Sequence, residues 1–304
     1  MNISFASRLF SIALLAFFLQ GSVKSCGLVY LGELSSEQTL DVDGSATLSV
    51  QSSGGSVRID RGPEGKISVT MKFGVRAGDR AGARQLLKQL ESDPPIEREG
   101  TKIRLGDLSK YKLPSGGFFD PAVSIDFQLK VPEGTSLDIQ TNSGDLNVSR
   151  LSGTLKAELG WGAATVKSFE GALDIKTTTG RLTLANLRGQ TKLESKSGLI
   201  FLNDIRGDLT VESRSGGIEL DSEITLGAQW HFQTQSGEVV LALPQDSQFQ
   251  IRARSTSGQI KIDFPLTTTG LRDEWQVTAQ VGGGKPDARI EISTQSGNVQ
   301  IGRK

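Results

Sequence analysis

The chain has 304 residues, of which 36% are apolar and 22% are charged, a composition typical of a folded protein rather than a disordered or membrane-filling one. Lysine plus arginine equals aspartate plus glutamate at 34 each, so the formal net charge is zero and a general attraction for nucleic acid is excluded. The single His231 and the single Cys26 exclude Ser-His-Asp and Cys-His catalysis and histidine-based metal sites. Aromatic residues, at 6%, argue against broad stacking platforms for sugars or bases.

Residues 1–25 are predicted to be a signal peptide. Arg8 is followed by an apolar stretch over 9–19 that is too short to span a bilayer comfortably. The segment Val23-Lys24-Ser25-Cys26 resembles a bacterial lipobox, although its lysine departs from the pattern. We therefore expect an exported protein of the bacterial cell envelope, lipid-anchored through Cys26 to the outer membrane or facing the periplasm. The alternative is ordinary signal-peptide cleavage near the same bond, which leaves a soluble periplasmic protein.

Residues 26–135 are predicted to form a less regular N-terminal β section that caps the rest of the chain. One helix is expected near 79–91, closed by Pro94-Pro95. Its Arg80, Arg84 and Lys88 form a basic stripe. A solvated helix face is favoured for this stripe over a contact with lipid head groups. Strands are expected at 47–50, 56–59, 67–71, 103–105 and 124–131.

Residues 136–304 carry an internal repeat that is marked by glycine. Gly144, Gly162, Gly180, Gly198 and Gly216 are spaced by 18 residues, and Gly153, Gly171, Gly189 and Gly207 lie midway between them. Each half-unit continues with alternating apolar residues, the period of a strand with one buried face. Gly237, Gly258 and Gly297 extend the first series at wider spacing. The pattern predicts an all-β fold, a parallel β-solenoid with coils of 18–21 residues, in which residue i stacks on residue i+18 and the glycines form the corners.

Serine and threonine precede the first glycine series in the pattern [ST]-x-[ST]-G. The first residue of this pattern continues the inward parity of the apolar pairs, so an internal column that supports the corner is favoured over an external ice-binding face. One outward column alternates in charge through Glu158, Lys176 and Glu194 and then meets a like charge at Glu212, a pattern that supports in-register stacking. The [ST]-x-[ST]-G pattern begins at Thr141, Thr177, Ser195, Ser213, Thr234, Ser255 and Thr294, and only the Gly162 unit lacks it.

Candidate catalytic residues are few. His231 lies between Trp230 and Phe232 and is predicted to point outward on a strand. Carboxylates near turns are best explained as solvated side chains; they are Asp145, Asp204, Asp208, Asp221 and Glu223. The calcium-binding nonapeptide repeat is absent from the sequence. We therefore expect no catalytic residue, no metal site and no cofactor.

The repeat resembles a known bacterial family, the adhesin-like β-solenoid domains of unknown function. Five segments carry the resemblance together with VPEGTSLDI (131–139), and they are SGDLNV (143–148), TGRLTL (179–184), SGGIEL (215–220), SGEVVL (236–241) and SGNVQI (296–301). The resemblance covers most of the chain after its leader. It implies a β-solenoid in an exported or membrane-linked protein, and it implies no particular chemistry.

The leading hypothesis is a non-enzymatic envelope protein that presents a rigid solenoid surface to a macromolecular partner, either protein or glycan, with no role for nucleic acid. One alternative is a module that binds or modifies polysaccharide. It would be favoured by a groove of carboxylates with arginine or lysine along one side of the solenoid. A structural or assembly factor of the envelope is the other alternative.

Overall fold

The computed structural model describes residues 30–77, 80–111, 122–272, 275–283 and 286–304. The predicted signal peptide, Cys26 and Asp79 lie outside these described residues. Within them, the chain forms 22 β-strands and one α-helix. The N-terminal elements are β1 (Tyr30–Asp41), β2 (Thr47–Ser52), β3 (Val57–Arg61), β4 (Lys66–Ala77), α1 (Arg80–Ser92), β5 (Ile96–Glu99), β6 (Lys102–Leu105) and β7 (Ala122–Val131).

The solenoid occupies the rest of the chain. Its strands are β8 (Ser136–Ser143), β9 (Leu146–Trp161), β10 (Ala164–Thr179), β11 (Leu182–Ser197), β12 (Ile200–Arg206), β13 (Leu209–Ser215), β14 (Ile218–Asp221), β15 (Gln229–Ser236), β16 (Val239–Leu243), β17 (Phe249–Ser255), β18 (Ile260–Ile262), β19 (Leu266–Arg272), β20 (Gln276–Val281), β21 (Arg289–Ser296) and β22 (Val299–Arg303).

Successive coils stack in parallel with the predicted shift of 18 residues. In β9, β10 and β11, Leu146 pairs with Ala164, which pairs with Leu182. Strand segments that follow the Gly144 series form one side of the solenoid, face A, and segments that follow the Gly153 series form the opposite side, face B. The alternating apolar residues of both faces are buried between them, so the core is one continuous narrow column. The predicted all-β solenoid is confirmed.

The two corners of each coil differ in backbone geometry. At the first corner, Gly198 has φ +130°, and a Cβ built on it would lie 2.0 Å from the carbonyl oxygen of Gly180 in the adjacent coil. The corner therefore needs glycine for its conformation and for the close approach of two coils. At the other corner, a left-handed residue recurs every 18 positions, at Arg150, Ser168, Asn186 and Asp204. These left-handed residues are not glycines, so the sequence does not mark their position.

Gly237, Gly258 and Gly297 adopt a different spatial order from the one that the spacing suggests. β21 and β22 pair with β15 and β16 on one side and with β17 and β18 on the other. The coil of Gly297 thus lies between the coils of Gly237 and Gly258, although it comes last in the chain. The last coils therefore do not stack in chain order: the coil at 249–262 leaves one layer vacant, and the C-terminal segment at 289–303 occupies it.

The N-terminal section is built in the same non-sequential way. β2 pairs in parallel with both β6 and β8, and β3 pairs with both β7 and β9, so the coil at 47–61 lies between segments that follow it in sequence. β4 then adds to β7, and β1 adds to β4, in antiparallel pairing. α1 packs on β1 and β4 through Ala83, Leu86 and Leu90. The division at residue 135 remains a prediction, since strands from both sides of it share the same faces.

Candidate functional site

A polar groove runs along face B beside the first corner, with a volume of 630 Å³. It crosses six coils, from Gln140 in β8 to Gln235 in β15. Six layers at about 4.8 Å make the groove about 24 Å long. The parallel pairing of β10 with β11 skips Thr178 and Lys196 just before the corner, and the groove follows this interruption.

The charges in the groove are balanced. Among the described residues that line it are three acidic and three basic side chains: Glu158, Glu194, Glu212, Lys176, Lys196 and Arg214. The register places Lys176 between Glu158 and Glu194 in adjacent coils, which confirms the alternation inferred from the sequence. Such a groove offers hydrogen-bond donors and acceptors at short intervals without a strong net field.

Glu194 forms ion pairs with two lysines at the groove. Its Oε1 lies 2.7 Å from Nζ of Lys192 and 3.1 Å from Nζ of Lys176. These two lysines, Lys192 first, hold the pKa of the Glu194 carboxyl below its ordinary value. Because Glu194 stays ionised at neutral pH, it is suited to accept hydrogen bonds and unsuited to donate a proton.

Beneath the groove lies the column of inward-facing hydroxyl residues, all of them buried. Ser213 Oγ donates to the Gly216 carbonyl at 3.4 Å, and Ser255 Oγ donates to that of Gly297 at 3.1 Å. Other members of the column have a buried oxygen without a hydrogen-bond partner in the described part of the chain, namely Thr141, Thr177, Ser195, Thr234 and Thr294. The predicted corner support is thus seen at some layers and not at others.

One coil departs from the hydroxyl pattern at the groove. Its residues Leu159, Gly160, Trp161 and Gly162 replace [ST]-x-[ST]-G. Leu159 and Gly160 line the groove, and the next residue, Trp161, has 67% of its surface exposed. A Cβ at Gly160 would lie 2.3 Å from the carbonyl oxygen of Asn142, so this position accepts no side chain without movement of the backbone. The missing pattern at Gly162 is visible in the sequence, whereas the exposure of Trp161 is visible only in the structure.

The residues considered for catalysis do not converge on a site. His231 lies on the outer surface of face B, with Nδ1 3.7 Å from Oε2 of Glu291, while Trp230 and Phe232 are buried as predicted. Across the described residues, no group of three or more histidine, cysteine, aspartate or glutamate side chains is arranged to hold a metal ion.

The turn carboxylates have local structural partners. Asp145 Oδ1 accepts a hydrogen bond from the Ala163 amide at 2.8 Å, and Asp208 Oδ1 accepts one from the Gln229 amide at 2.9 Å. The other three form ion pairs, namely Asp204 and Glu223 with Arg206 and Asp221 with Lys304. These contacts support the view that each carboxylate stabilises a turn or a strand end.

The basic stripe of α1 is exposed at Arg80, Arg84 and Lys88, opposite the buried Leu86 and Leu90. Exposure is required by a solvated helix face and by a contact with lipid head groups alike, so the preference for the solvated face remains a prediction. No helix in the described part of the chain has both the length and the apolar character needed to cross a membrane.

The fold is a β-solenoid with a polar groove along face B. The chain belongs to the family described as Toastrack DUF4097, whose model matches residues 46–302. The family resemblance inferred from the glycine-flanked segments is therefore confirmed. No curated protein matches the chain.

Three solved bacterial structures resemble the chain weakly. A provisionally named cell adhesion protein from Clostridium sporogenes is 14% identical, covers 89% of this chain and 100% of its own, and has a TM-score of 0.27. Provisionally named adhesins from Bacteroides fragilis and Parabacteroides merdae are 10% and 9% identical. Both cover 89% of this chain, with 97% and 96% of their own lengths and TM-scores of 0.26 and 0.30. At these TM-scores the likenesses carry no argument about function.

Proposed function

We propose that this chain is a non-enzymatic, adhesin-like protein of the cell envelope that binds an extended macromolecule along the groove of face B. The observation that supports the proposal is the groove itself, which crosses six coils and carries a charged side chain at every layer from Glu158 to Arg214. A long rigid surface with regularly spaced polar groups is suited to a partner that is itself extended.

Binding is favoured over catalysis by the surroundings of Glu194 in the groove. Hydrolysis of a glycosidic bond needs one carboxyl group with a raised pKa, which protonates the leaving oxygen. The lysines around Glu194 shift its pKa in the opposite direction. A purely structural role is less well supported, because packing of the solenoid does not require a groove.

The experiment compares two double variants in binding to isolated envelope material. Glu212→Ala/Arg214→Ala removes one exposed pair in the groove, and Lys167→Ala/Glu219→Ala removes an exposed pair from face A. We expect fluorescently labelled wild type to bind cell-wall and outer-membrane fractions, and the groove variant to bind at least about fivefold more weakly while the face A variant matches wild type. Equal binding by both variants would refute the assignment to the groove, as would turnover of any envelope polymer.

Export and anchoring form a separate part of the proposal. The lipobox-like segment and the absence of other cysteines support lipidation at Cys26. Mass spectrometry of the mature N-terminus tests this point directly. A diacylglyceryl-modified Cys26 is the expected result, and an unmodified cysteine or a start beyond it would refute the anchor without affecting the groove.

A further inference from the structure

Trp161 is the most exposed tryptophan of the described chain, and it directly follows two residues that line the groove. It occurs in the single coil of the solenoid whose corner lacks the serine and threonine pattern. In a repeat protein the shared pattern serves stacking, so a layer that breaks the pattern without disturbing the register requires a separate reason. The register here is intact, because Trp161 pairs with Ser143 on one side and with Thr179 on the other.

Gly160 places bare backbone, packed against the Asn142 carbonyl, directly before Trp161 in the chain. In the other layers, its column carries side chains such as Asn142, Thr178 and Lys196, whereas Gly160 has none. At this layer the groove wall therefore has no side chain at the residue that precedes the exposed indole. This combination suits a flat, partly apolar ring that stacks on the indole while its edges reach polar groups.

The polar groups of the groove indicate what kind of ring would stack on the indole. Three carboxylates and three cationic groups give no net charge, so a polyanion such as nucleic acid gains little from the groove as a whole. A sugar hydroxyl both donates and accepts hydrogen bonds, so a glycan matches a surface that presents acceptors and donors side by side. At the layers of β11 and β13, Glu194 and Glu212 form one column, and Lys196 and Arg214 form the column beside it. The layer spacing of about 4.8 Å is close to the length of one sugar unit in an extended chain.

A peptide is a poorer match for the same groove. Peptides that bind to sheets usually pair with the backbone of an open edge strand, or they insert apolar side chains into pockets. The groove lies on a face whose strands already pair with the coils above and below. Leu159 is the one large apolar side chain among the described residues that line it.

We infer that the groove binds an uncharged, extended glycan, with one sugar ring stacked on Trp161 beside Gly160 and the following units held by the groove charges. The inference rests on the proposed binding function of the groove and specifies its ligand class.

The test is a glycan array that carries neutral, anionic and cationic oligosaccharides, probed with the chain that starts at residue 27. The neutral hexasaccharides that bind best are then titrated by calorimetry. We expect Trp161→Ala to weaken this binding about tenfold or more and Trp161→Tyr to retain part of it. The control is Trp275→Ala, at an exposed tryptophan outside the groove, which should leave the binding unchanged. Urea unfolding of each variant separates a loss of binding from a loss of folding.

Several results would overturn the inference. They are binding to anionic glycans in preference to neutral ones, full binding by Trp161→Ala, and no binding to any neutral glycan. If envelope material still binds through the groove while all neutral glycans fail, the glycan inference is wrong and the proposed function stands. If neither binds, both fail. Competition for the groove by a protein component of the envelope would identify the partner as a protein instead.

Discussion

Gly198→Ala is the most direct test of how the solenoid corners work. The added Cβ would lie 2.0 Å from the carbonyl oxygen of Gly180 and 2.8 Å from its carbonyl carbon. Since carbon and oxygen do not approach within 3.0 Å in this way, the two coils must separate at the corner by about 1 Å. That movement strains two backbone hydrogen bonds of 3.1 Å, from Gly198 to Ser215 and from Gly180 to Ser197.

The magnitude follows from two contributions. The backbone at φ +130° is open almost exclusively to glycine, which costs an alanine about 1–3 kcal/mol. Loss of one buried backbone hydrogen bond costs about 1–3 kcal/mol more. We therefore expect Gly198→Ala to lower the free energy of unfolding by roughly 2–6 kcal/mol. Urea denaturation measures this loss, and the slope is checked for a change in cooperativity.

Two matched glycines provide controls for this measurement. Gly227 has φ +76° and no atom within 4 Å of a built Cβ, so Gly227→Ala carries the conformational cost alone, about 1 kcal/mol. Gly283 has open space around it and no such φ, so its alanine variant should be close to wild type. If Gly198→Ala is no more destabilising than Gly227→Ala, the close approach of the coils does not explain the glycine ladder.

Three further predictions test the hydroxyl column, the groove and the C-terminal layer. Thr177→Val should leave the urea midpoint unchanged or raise it slightly, because the hydroxyl it removes is buried without a partner in the described part of the chain. The hydroxyl of Ser222 accepts a hydrogen bond from the Ile205 amide and shares its one proton between the carbonyls of Ile205 and Glu223, so Ser222→Ala should cost about 1–3 kcal/mol. Equal losses in the two variants would contradict this account. Glu194→Gln should lower stability by less than about 1 kcal/mol at pH 7. Because the pKa of Glu194 is depressed on folding, its contribution to stability is present above the ordinary value of 4.5 and is lost as pH falls through the folded pKa. The urea midpoints of wild type and Glu194→Gln should therefore converge in acid. A constant difference between them down to pH 3 would be inconsistent with this account. β21 lies between β15 and β17, so deletion of 286–304 should abolish hydrogen-exchange protection over 249–281 and preserve it over 146–221. Persistent protection over 249–281 would show that this segment docks directly on β15 and β16.

The central coils could be predicted because their information is local and periodic. Leu146, Ala164 and Leu182 share a column only if the repeat is 18 residues, and the alternation of burial then follows. The order of the last coils could not be predicted in this way. Gly237, Gly258 and Gly297 carry nearly the same corner motif, so the sequence does not distinguish which two are neighbours. That choice depends on the hairpin of β19 and β20, which covers β17 and leads the chain back.

The groove was only partly visible in the sequence. The alternation of Glu158, Lys176 and Glu194 was evident as a column and served to support the register. Its second wall, with Lys196 and Arg214, lies two residues further along each strand, past the interrupted pairing near Thr178. Periodicity identifies which residues share a column, but it does not show where two columns separate far enough to leave a groove.

The groove is built from six stacked layers, so the affinity for a glycan should depend on the length of the oligosaccharide. If each layer along the groove contacts one sugar unit in a similar way, affinity should rise with oligosaccharide length until the groove of about 24 Å is filled and then level off. Trp161 lies in the second of the six layers, so it would fix the register of a chain that the charges alone would hold in several positions. Calorimetric titration with two to ten units of the best neutral glycan measures this dependence. A plateau at two or three units would restrict the site to the layers around Trp161, and Trp161→Ala should then abolish binding at every length.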